Sequence, residues 1–267
     1  MRTRGLAEAL LVLVAVPAAS GQSQLERHRV SSPIALYDDA DPAPRGTLSV
    51  GSYFAYGKFV AGQDTSAPSL YLNLGVHRRF DVSGDVAFVR SEFERSRVNG
   101  IGDSYFGAKI LILSEGRRRP ALAVKPMIEI LGRPSIADNV LAPSRVNFVP
   151  SLLAQKSFDN YRVYYMGGYI TRGILFQSLG WEWNRWSRIT PVAILSTSRL
   201  TQELRLVGDL GLNRSRSDVA GGATIAITRT WSVYGMAGRS FGREDLNSAH
   251  YQLTGGVNFN LRLWGEK

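Results

Sequence analysis

The side chains that could act as a nucleophile, a base or a metal ligand are few and scattered along the chain. Its three histidines are His28, His77 and His250, no two of them have metal-ligand spacing, and the chain has no cysteine. Histidine or cysteine metal sites are therefore not predicted. Ser248 and His250 have suitable types for ester hydrolysis, but a triad needs groups that meet across the fold, which neighbouring loop residues rarely do. We predict no catalytic residue, no metal and no cofactor, with a barrel-embedded hydrolase as the less favoured alternative.

The first 21 residues predict export. Two arginines precede an apolar stretch over residues 6–16, and small residues follow over residues 17–21. This is the layout of a secretory signal peptide, with cleavage expected after Ser20 or Gly21, and an ordinary N-terminal helix is the alternative. No later stretch is apolar enough to cross a bilayer as a helix. The mature chain is therefore expected in the periplasm, outside the cell, or in the outer membrane as a β-barrel.

Charge and glycine content suggest no nucleic-acid or nucleotide partner. The formal net charge is +10, but an exported protein rarely meets nucleic acid, so anionic lipid headgroups, lipopolysaccharide phosphates or anionic solutes are the expected partners. Gly100-Ile101-Gly102 and Gly221-Gly222 do not lie between a strand and a helix, as a dinucleotide-binding loop must. We expect these glycines to relieve crowding or to permit bulges in strands.

Residues 22–45 and residues 46–264 differ in character. The first segment is polar, contains Pro33, Pro42 and Pro44, and carries an acidic cluster at Asp38, Asp39 and Asp41. We predict an irregular segment that lies either in the periplasm or in a barrel lumen. From Gly46 onward, apolar and polar residues alternate in stretches of about ten residues, the length of a tilted membrane-crossing strand. The last stretch is typical, with apolar Leu253, Val257, Phe259, Leu261 and Leu263 opposing polar Gln252, Thr254, Asn258, Asn260 and Arg262.

This alternation predicts an all-β protein, a transmembrane antiparallel up-and-down β-barrel; a large soluble lipocalin-like barrel is the alternative that period alone leaves open. Short turns are predicted at residues 77–81, 114–120, 157–160, 184–187 and 228–230, and longer polar loops at residues 57–69, 94–100, 133–145, 196–210 and 242–249. Short periplasmic turns that alternate with longer outer loops are typical of outer-membrane barrels, whose strand counts are even. With residues 202–210 assigned to a loop, we predict about twelve strands. Fourteen is the alternative, with the N-terminal segment supplying one more.

Aromatic residues support the membrane interpretation. All five tryptophans fall near predicted periplasmic strand ends, where an interfacial girdle is expected: Trp181, Trp183, Trp186, Trp231 and Trp264. Capping of a soluble core is the alternative. Leu261-Arg262-Leu263-Trp264 resembles the aromatic-ended final strand that the outer-membrane assembly machinery recognises, so that machinery is an expected partner. The extension Gly265-Glu266-Lys267 departs from the usual terminal aromatic residue.

Two segments resemble a known family. They are residues 33–51, in which Asp38-Asp39-Ala40 precedes Pro44-Arg45-Gly46-Thr47-Leu48, and Gly100-Ile101-Gly102-Asp103-Ser104-Tyr105-Phe106-Gly107-Ala108-Lys109. Both are similar to the outer-membrane barrel family labelled as phenol-degradation meta-pathway proteins. The resemblance covers most of the mature chain and implies a barrel that admits small or apolar compounds. It also implies that Asp103 lies at an outer strand end and Lys109 in the lumen.

The lumen is the predicted functional site. By the alternation, ten side chains should point inward: Tyr53, Tyr71, Asn73, Asp85, Tyr105, Lys109, Lys125, Glu129, Arg162 and Tyr164. Charges of both signs on a lumen wall could select solutes, or could pair across a closed interior. We therefore expect either a passive channel for a small solute, with aromatic or apolar compounds as candidates, or a structural or surface-interaction barrel with a closed lumen. Guanidinium groups in the predicted outer loops are expected to meet lipopolysaccharide phosphates; these are Arg95, Arg97, Arg199 and Arg214.

Overall fold

The computed structural model describes residues 38–60, 62–93, 96–132, 144–186, 188–201, 214–244 and 248–264. The predicted signal peptide, most of residues 22–45, and the loop assignment of residues 202–210 lie outside these ranges. Within them, no helix is long and apolar enough to cross a membrane.

Fifteen β-segments form one antiparallel sheet. In chain order they are β1 (Thr47–Phe59), β2 (Gly62–His77), β3 (Phe80–Phe93), β4 (Ser96–Ile101), β5 (Ser104–Leu113), β6 (Ala121–Val124), β7 (Met127–Ile130), β8 (Val146–Val149), β9 (Ser151–Ser157), β10 (Tyr161–Ile170), β11 (Ile174–Trp183), β12 (Ile189–Leu200), β13 (Ser215–Ala226), β14 (Trp231–Phe241) and β15 (Ala249–Arg262).

The sheet closes into a barrel because β1 pairs with β15, from Thr47 opposite Arg262 to Phe59 opposite Ala249. Three pairs of segments each form a single interrupted strand of the wall. β4 and β5 both pair with β3, β6 and β7 both pair with β5, and β8 and β9 continue the next strand beside β7 and β6. The wall therefore has twelve strands, and the predicted twelve-stranded antiparallel barrel is confirmed.

The three interruptions do not open the wall. Pro126 separates β6 from β7 and Pro150 separates β8 from β9, because proline has no N–H to give to a ladder. Their carbonyl oxygens still accept hydrogen bonds from neighbouring strands, Pro126 from Ala108 at 3.2 Å and Pro150 from Tyr169 at 3.1 Å. At the third interruption, Gly102 donates its N–H to the carbonyl of Ala87 at 2.8 Å.

The two faces of the wall differ as the alternation predicts. Exposed apolar side chains cover the outside on strands all around the barrel, among them Phe54, Leu72, Phe106, Leu152, Leu179, Leu195, Val219 and Val257. The residues between them face inward, and many are polar and buried, among them Asn73, Lys109, Gln155, Ser178, Ser196 and Asn258. A sheet with this arrangement is suited to lipid outside and to polar contacts inside.

The connections agree with the predicted alternation at one end and depart from it at the other. The short-turn end contains the turn between β2 and β3 and also the start of β1 and the end of β15, and it is the end that the turn lengths predict to be periplasmic. The predicted loop over residues 57–69 is wrong, because β1 continues to Phe59 and β2 already begins at Gly62. The predicted loop over residues 94–100 is also too long, because β4 extends β3's ladder from Ser96 onward. Both errors arise where strands keep pairing with polar side chains on their outer face.

Candidate functional site

The ten predicted lumen residues all lie on the face opposite the exposed apolar side chains. Six of them are buried: Asn73, Lys109, Lys125, Glu129, Arg162 and Tyr164. The other four are half-buried: Tyr53, Tyr71, Asp85 and Tyr105. The charged members of this buried set form ion pairs within the barrel, so the interior contains ion pairs as well as polar side chains.

Residues 38–43, called the lumen segment below, lie inside the barrel beside this charged wall. The ammonium group of Lys109 donates to Asp38 at 2.9 Å, to Asp39 at 3.1 Å and to the carbonyl of Asp41 at 3.0 Å. Lys125 donates to the second carboxylate oxygen of Asp38 at 2.7 Å. The acidic cluster seen in the sequence is therefore bound by lysines of β5 and of the break between β6 and β7.

Arg162 on β10 extends this contact to the next strands. Its Nη1 donates to Asp39 Oδ2 at 2.8 Å, while its Nε and Nη2 both donate to Glu182 Oε2 on β11, at 3.0 and 2.7 Å. Nη1 also reaches Gln155 Oε1 at 3.1 Å, and the guanidinium lies 5.3 Å from the centre of the Tyr164 ring. Buried charges are stable only when paired and hydrogen-bonded in this way.

Hydrogen bonds hold the end of the lumen segment near the short-turn end of the barrel. The N–H of Ala43 donates to Asp81 Oδ2 at 2.7 Å, and Gln155 Nε2 donates to Asp41 Oδ2 at 2.6 Å. Gly75 on β2 must be a glycine here, because a Cβ would collide with the carbonyl oxygens of Ala43 and Pro44. The chain then turns into β1 at Gly46, whose φ of 75° also favours glycine.

A second polar cluster lies toward the outer end of the same wall. Arg172, in the turn between β10 and β11, donates to both oxygens of Glu129 at 2.9 and 3.1 Å. Glu129 also accepts from the hydroxyl of Tyr105 at 2.7 Å and from Asn147 Nδ2 at 3.1 Å. Glu129 is fully buried, and this set of donors compensates its charge.

Apolar side chains also point into the barrel. One inward cluster lies on β6 to β11 and packs on Ala40 of the lumen segment; it includes Ala123, Met127, Val149, Leu153, Met166 and Phe176. The other lies on β12 to β14 opposite Tyr53 and consists of Val192, Ile194, Ala220, Tyr234 and Met236. The interior therefore offers apolar surface that the alternation alone would not predict.

The wall formed by β13, β14, β15, β1 and β2 carries half-buried inward side chains, among them Tyr53 and Tyr71. Tyr53 donates its hydroxyl to Asp85 at 3.0 Å, and both side chains keep partial exposure. Four buried inward polar atoms on this side have no hydrogen-bond partner among the described residues: Asn73 Oδ1, Thr224 Oγ1, Ser232 Oγ and Gln252 Oε1. Because buried polar groups in proteins nearly always bond to protein or to water, this side is suited to hold water.

The barrel is similar in fold to solved outer-membrane structures. An outer membrane channel from Pseudomonas putida F1 is 12% identical, with a TM-score of 0.64 over 85% of this chain and 100% of that chain. The NanC porin is 10% identical, with a TM-score of 0.54 over 80% of this chain and 100% of that one. The KdgM porin in complex with disordered oligogalacturonate is 12% identical, with a TM-score of 0.53 over 79% and 98%. No family model and no curated protein matches the chain.

The chain has the fold of an outer-membrane β-barrel. The resemblance to the phenol-degradation family at the level of its short motifs stays a prediction. Of the two residues that it singles out, Asp103 directly precedes β5 and accepts from the N–H of Gly132 at 3.3 Å, and Lys109 contacts the lumen segment.

The predicted interfacial aromatic residues lie at one end of the barrel. The five tryptophans lie at or near strand ends on the short-turn side, with Trp181 and Trp183 in edge-to-face contact at 5.5 Å and Trp231 beside Phe259. The interfacial role of all five stays a prediction.

His250 Nδ1 lies 3.5 Å from Glu244 Oε1, and both side chains are exposed. Among the described residues, no group of three or more His, Cys, Asp or Glu side chains could hold a metal.

Sequence reasoning missed three residues of the charged wall. Glu182 alternates with Trp181 and Trp183, so its inward direction could have been inferred from the strand pattern. Gln155 lies on the inward face of β9, but its partner Asp41 is 114 residues away in sequence, so no local pattern identifies the contact. Arg172 lies in a turn, where period two gives no direction, and no sequence signal identifies its contact with Glu129.

Proposed function

We propose that this protein is a non-enzymatic channel of the outer membrane that admits small solutes passively. The observation that carries the proposal is the asymmetry of the interior. One wall is filled by the lumen segment and its ion pairs, whereas the wall around Tyr53, Tyr71 and Asp85 keeps partial exposure and inward polar atoms without protein partners. The fold shared with an outer membrane channel and two porins supports the same function.

Small aromatic or apolar compounds are the proposed solutes. Tyr53 packs against the inward cluster of Val192, Ile194, Ala220, Tyr234 and Met236. A surface of this kind lowers the cost of moving an apolar group along a polar lumen, because contact with it removes apolar area from water. The mixed lining also keeps polar atoms available for the water and the polar end of such a solute.

A closed structural barrel is the second candidate, and the lumen segment favours it. Three basic side chains hold the segment through carboxylates of Asp38, Asp39 and Asp41, so the segment occupies part of the interior in this conformation. Planar-bilayer recordings of the mature, detergent-folded protein distinguish the two functions. Discrete conductance steps are expected for a channel. A correctly folded barrel that conducts no ions and releases no solute would instead be a structural one.

The solute class is tested by liposome swelling with zwitterions of similar charge, phenylalanine against glutamine. An apolar inward surface predicts faster entry of phenylalanine than glutamine. Replacing Ile194 and Met236 by threonine should reduce that preference while leaving the β spectrum unchanged. The matched control is Leu195→Thr, which alters an exposed side chain on the outer face of the same strand. An unchanged ratio in the Ile194 and Met236 variant would contradict the apolar-solute proposal without touching the channel proposal.

A further inference from the structure

The outer ends of β1 to β4 carry a continuous row of polar side chains on the lipid side of the wall. Register places Lys58 opposite Gln63, Gln63 opposite Glu92, and Glu92 opposite Arg97, so these four residues share one face across four strands. Arg90 lies two residues before Glu92 on the same face. We call Lys58, Gln63, Arg90, Glu92 and Arg97 the outer basic row.

The row lies directly beyond the outer limit of the apolar surface. Phe88, two residues before Arg90, is 45% exposed, and Phe54, four residues before Lys58, is 46% exposed. Tyr56, which lies between Phe54 and Lys58 on β1, packs against Tyr251 with ring centres 5.8 Å apart. Tyrosines concentrate at the membrane–water interface. The row is therefore at the height of the headgroups of the outer leaflet.

The side chains of the row are organised by hydrogen bonds. Glu92 accepts from Arg90 at 2.8 Å and from Arg97 at 2.6 Å on the same oxygen, while its other oxygen accepts from Gln63 Nε2 at 2.7 Å. Tyr56 donates its hydroxyl to Gln63 Oε1 at 3.0 Å. Glu92 thus brings two guanidinium groups together and fixes their direction, which reduces the rotamer entropy lost on binding an anion.

The charge of the row exceeds what Glu92 can neutralise. The row contains three cations and one carboxylate, and Arg90 and Arg97 remain 48% and 60% exposed despite their ion pairs with Glu92. Guanidinium groups bind phosphate in bidentate fashion, and basic side chains at a membrane surface attract anionic headgroups. A water-soluble ligand with a carboxylate group would not explain why the cations lie on the lipid side of the barrel.

We propose that the outer basic row binds the phosphate groups of lipopolysaccharide in the outer leaflet. The proposal rests on the outer-membrane location proposed above but is independent of whether the barrel conducts. Lys58, Arg90 and Arg97 contact the lipid A phosphates, Glu92 positions the two arginines, and Tyr56 and Tyr251 pack on the sugar–acyl boundary beneath them. The site lies outside the lumen, so solutes and lipid do not compete for it.

Native mass spectrometry of the detergent-folded protein with bisphosphorylated Kdo2-lipid A tests the proposal. The triple variant Lys58→Gln, Arg90→Gln, Arg97→Gln should lose affinity by on the order of fivefold for each charge removed. The matched control removes three exposed arginines from periplasmic turns, Arg78→Gln, Arg79→Gln, Arg229→Gln, and should bind as the wild type does. Both variants must keep the heat-modifiable band of a folded barrel.

Two outcomes would overturn the proposal. One is equal loss of binding in both triple variants, which would mean that net charge alone attracts the lipid. The other is equal binding of lipid A from which the phosphates have been removed, which would mean that acyl chains alone are recognised. Inorganic phosphate at millimolar concentration tests whether the row recognises the phosphate group itself. Competition between free phosphate and lipid A supports phosphate recognition by the row. Conductance of the triple variant in lipid bilayers without lipopolysaccharide should match the wild type, so a failed channel proposal would be recognised separately.

Discussion

Arg162 connects the lumen segment to the wall through hydrogen bonds to two carboxylates. It is 2% exposed, and its guanidinium group bonds Asp39 on one side and Glu182 on the other. Lysine could not replace it, because a single ammonium group lacks the planar set of donors that reaches both carboxylates at once. Within a low-dielectric interior, the loss of such a residue leaves two carboxylates without their common partner.

The first prediction concerns this residue. Arg162→Met should destabilise the folded barrel by about 3–5 kcal/mol, because removal of one partner leaves buried charge uncompensated. Urea unfolding in detergent, followed by tryptophan fluorescence, measures the change. Arg188→Met is the control, since Arg188 is exposed just before β12. If both variants unfold at the same urea concentration, the buried ion pairs do not contribute to stability.

The second prediction concerns Gly180, which lies opposite Tyr164 on the neighbouring strand. A Cβ at Gly180 would overlap the Tyr164 ring, and that ring contacts the Arg162 guanidinium. Gly180→Ala should therefore cost about 1–3 kcal/mol of stability, as overpacking does. In Gly221→Ala, the new methyl group would have no atom nearer than 3.7 Å, so unfolding at or above the wild-type urea midpoint is expected. Equal destabilisation of both variants would sink the steric explanation.

At the scale of elements, the lumen segment is the piece on which the proposed channel function most depends. It contributes three carboxylates to the interior, and its removal would leave Lys109, Lys125 and Arg162 facing the pore. The element is attached by charge and by the turn into β1, since residues 38–46 belong to no strand. Neutral substitutions should therefore detach it without removing part of the wall.

The third prediction follows from that attachment. Asp38→Asn together with Asp39→Asn should raise single-channel conductance and shift ion selectivity toward anions, because Lys109 and Lys125 lose their carboxylate partners and Arg162 loses one of its two. Reversal potentials in a salt gradient measure the selectivity. Asp159→Asn, in the exposed turn between β9 and β10, is the control for loss of a carboxylate. A double variant with wild-type conductance and selectivity would mean that the segment does not restrict the lumen.

The elements also mark how far the sequence could predict the molecule. Strand faces follow from period two, so the wall and the inward direction of Lys109 and Glu129 could be inferred. The predictions of loops at residues 57–69 and 94–100 are wrong because a strand that extends beyond the membrane carries polar residues on both faces. The contact of Asp38 with Lys109 spans 71 residues, and no local pattern specifies which inward cation an acidic segment will meet.

At the scale of the whole molecule, closure depends on the seam between β1 and β15. The fourth prediction uses the absence of cysteine in the chain, which makes an introduced pair the only thiols present. Ser49→Cys and Asn260→Cys occupy paired positions across the seam, so a short dithiol cross-linker should join them in the folded barrel. Ser49→Cys with Thr254→Cys, which is offset along β15, should cross-link poorly. Equal yields from the two pairs would contradict the seam register.

The seam also has a consequence for the order of assembly. The last hydrogen bonds of the seam join the N–H of Leu263 to the carbonyl of Gly46, so the wall closes only after the final strand has been delivered. The lumen segment precedes the first strand, and its carboxylates bind side chains of β5, β10 and the intervening wall. The part of the barrel that is synthesised first is therefore enclosed by the strand that is synthesised last. An open sheet can receive the lumen segment from the side, whereas a closed one admits it only from an end. Early capture of the segment by the lysines and Arg162 would therefore set the curvature around which the remaining strands fold.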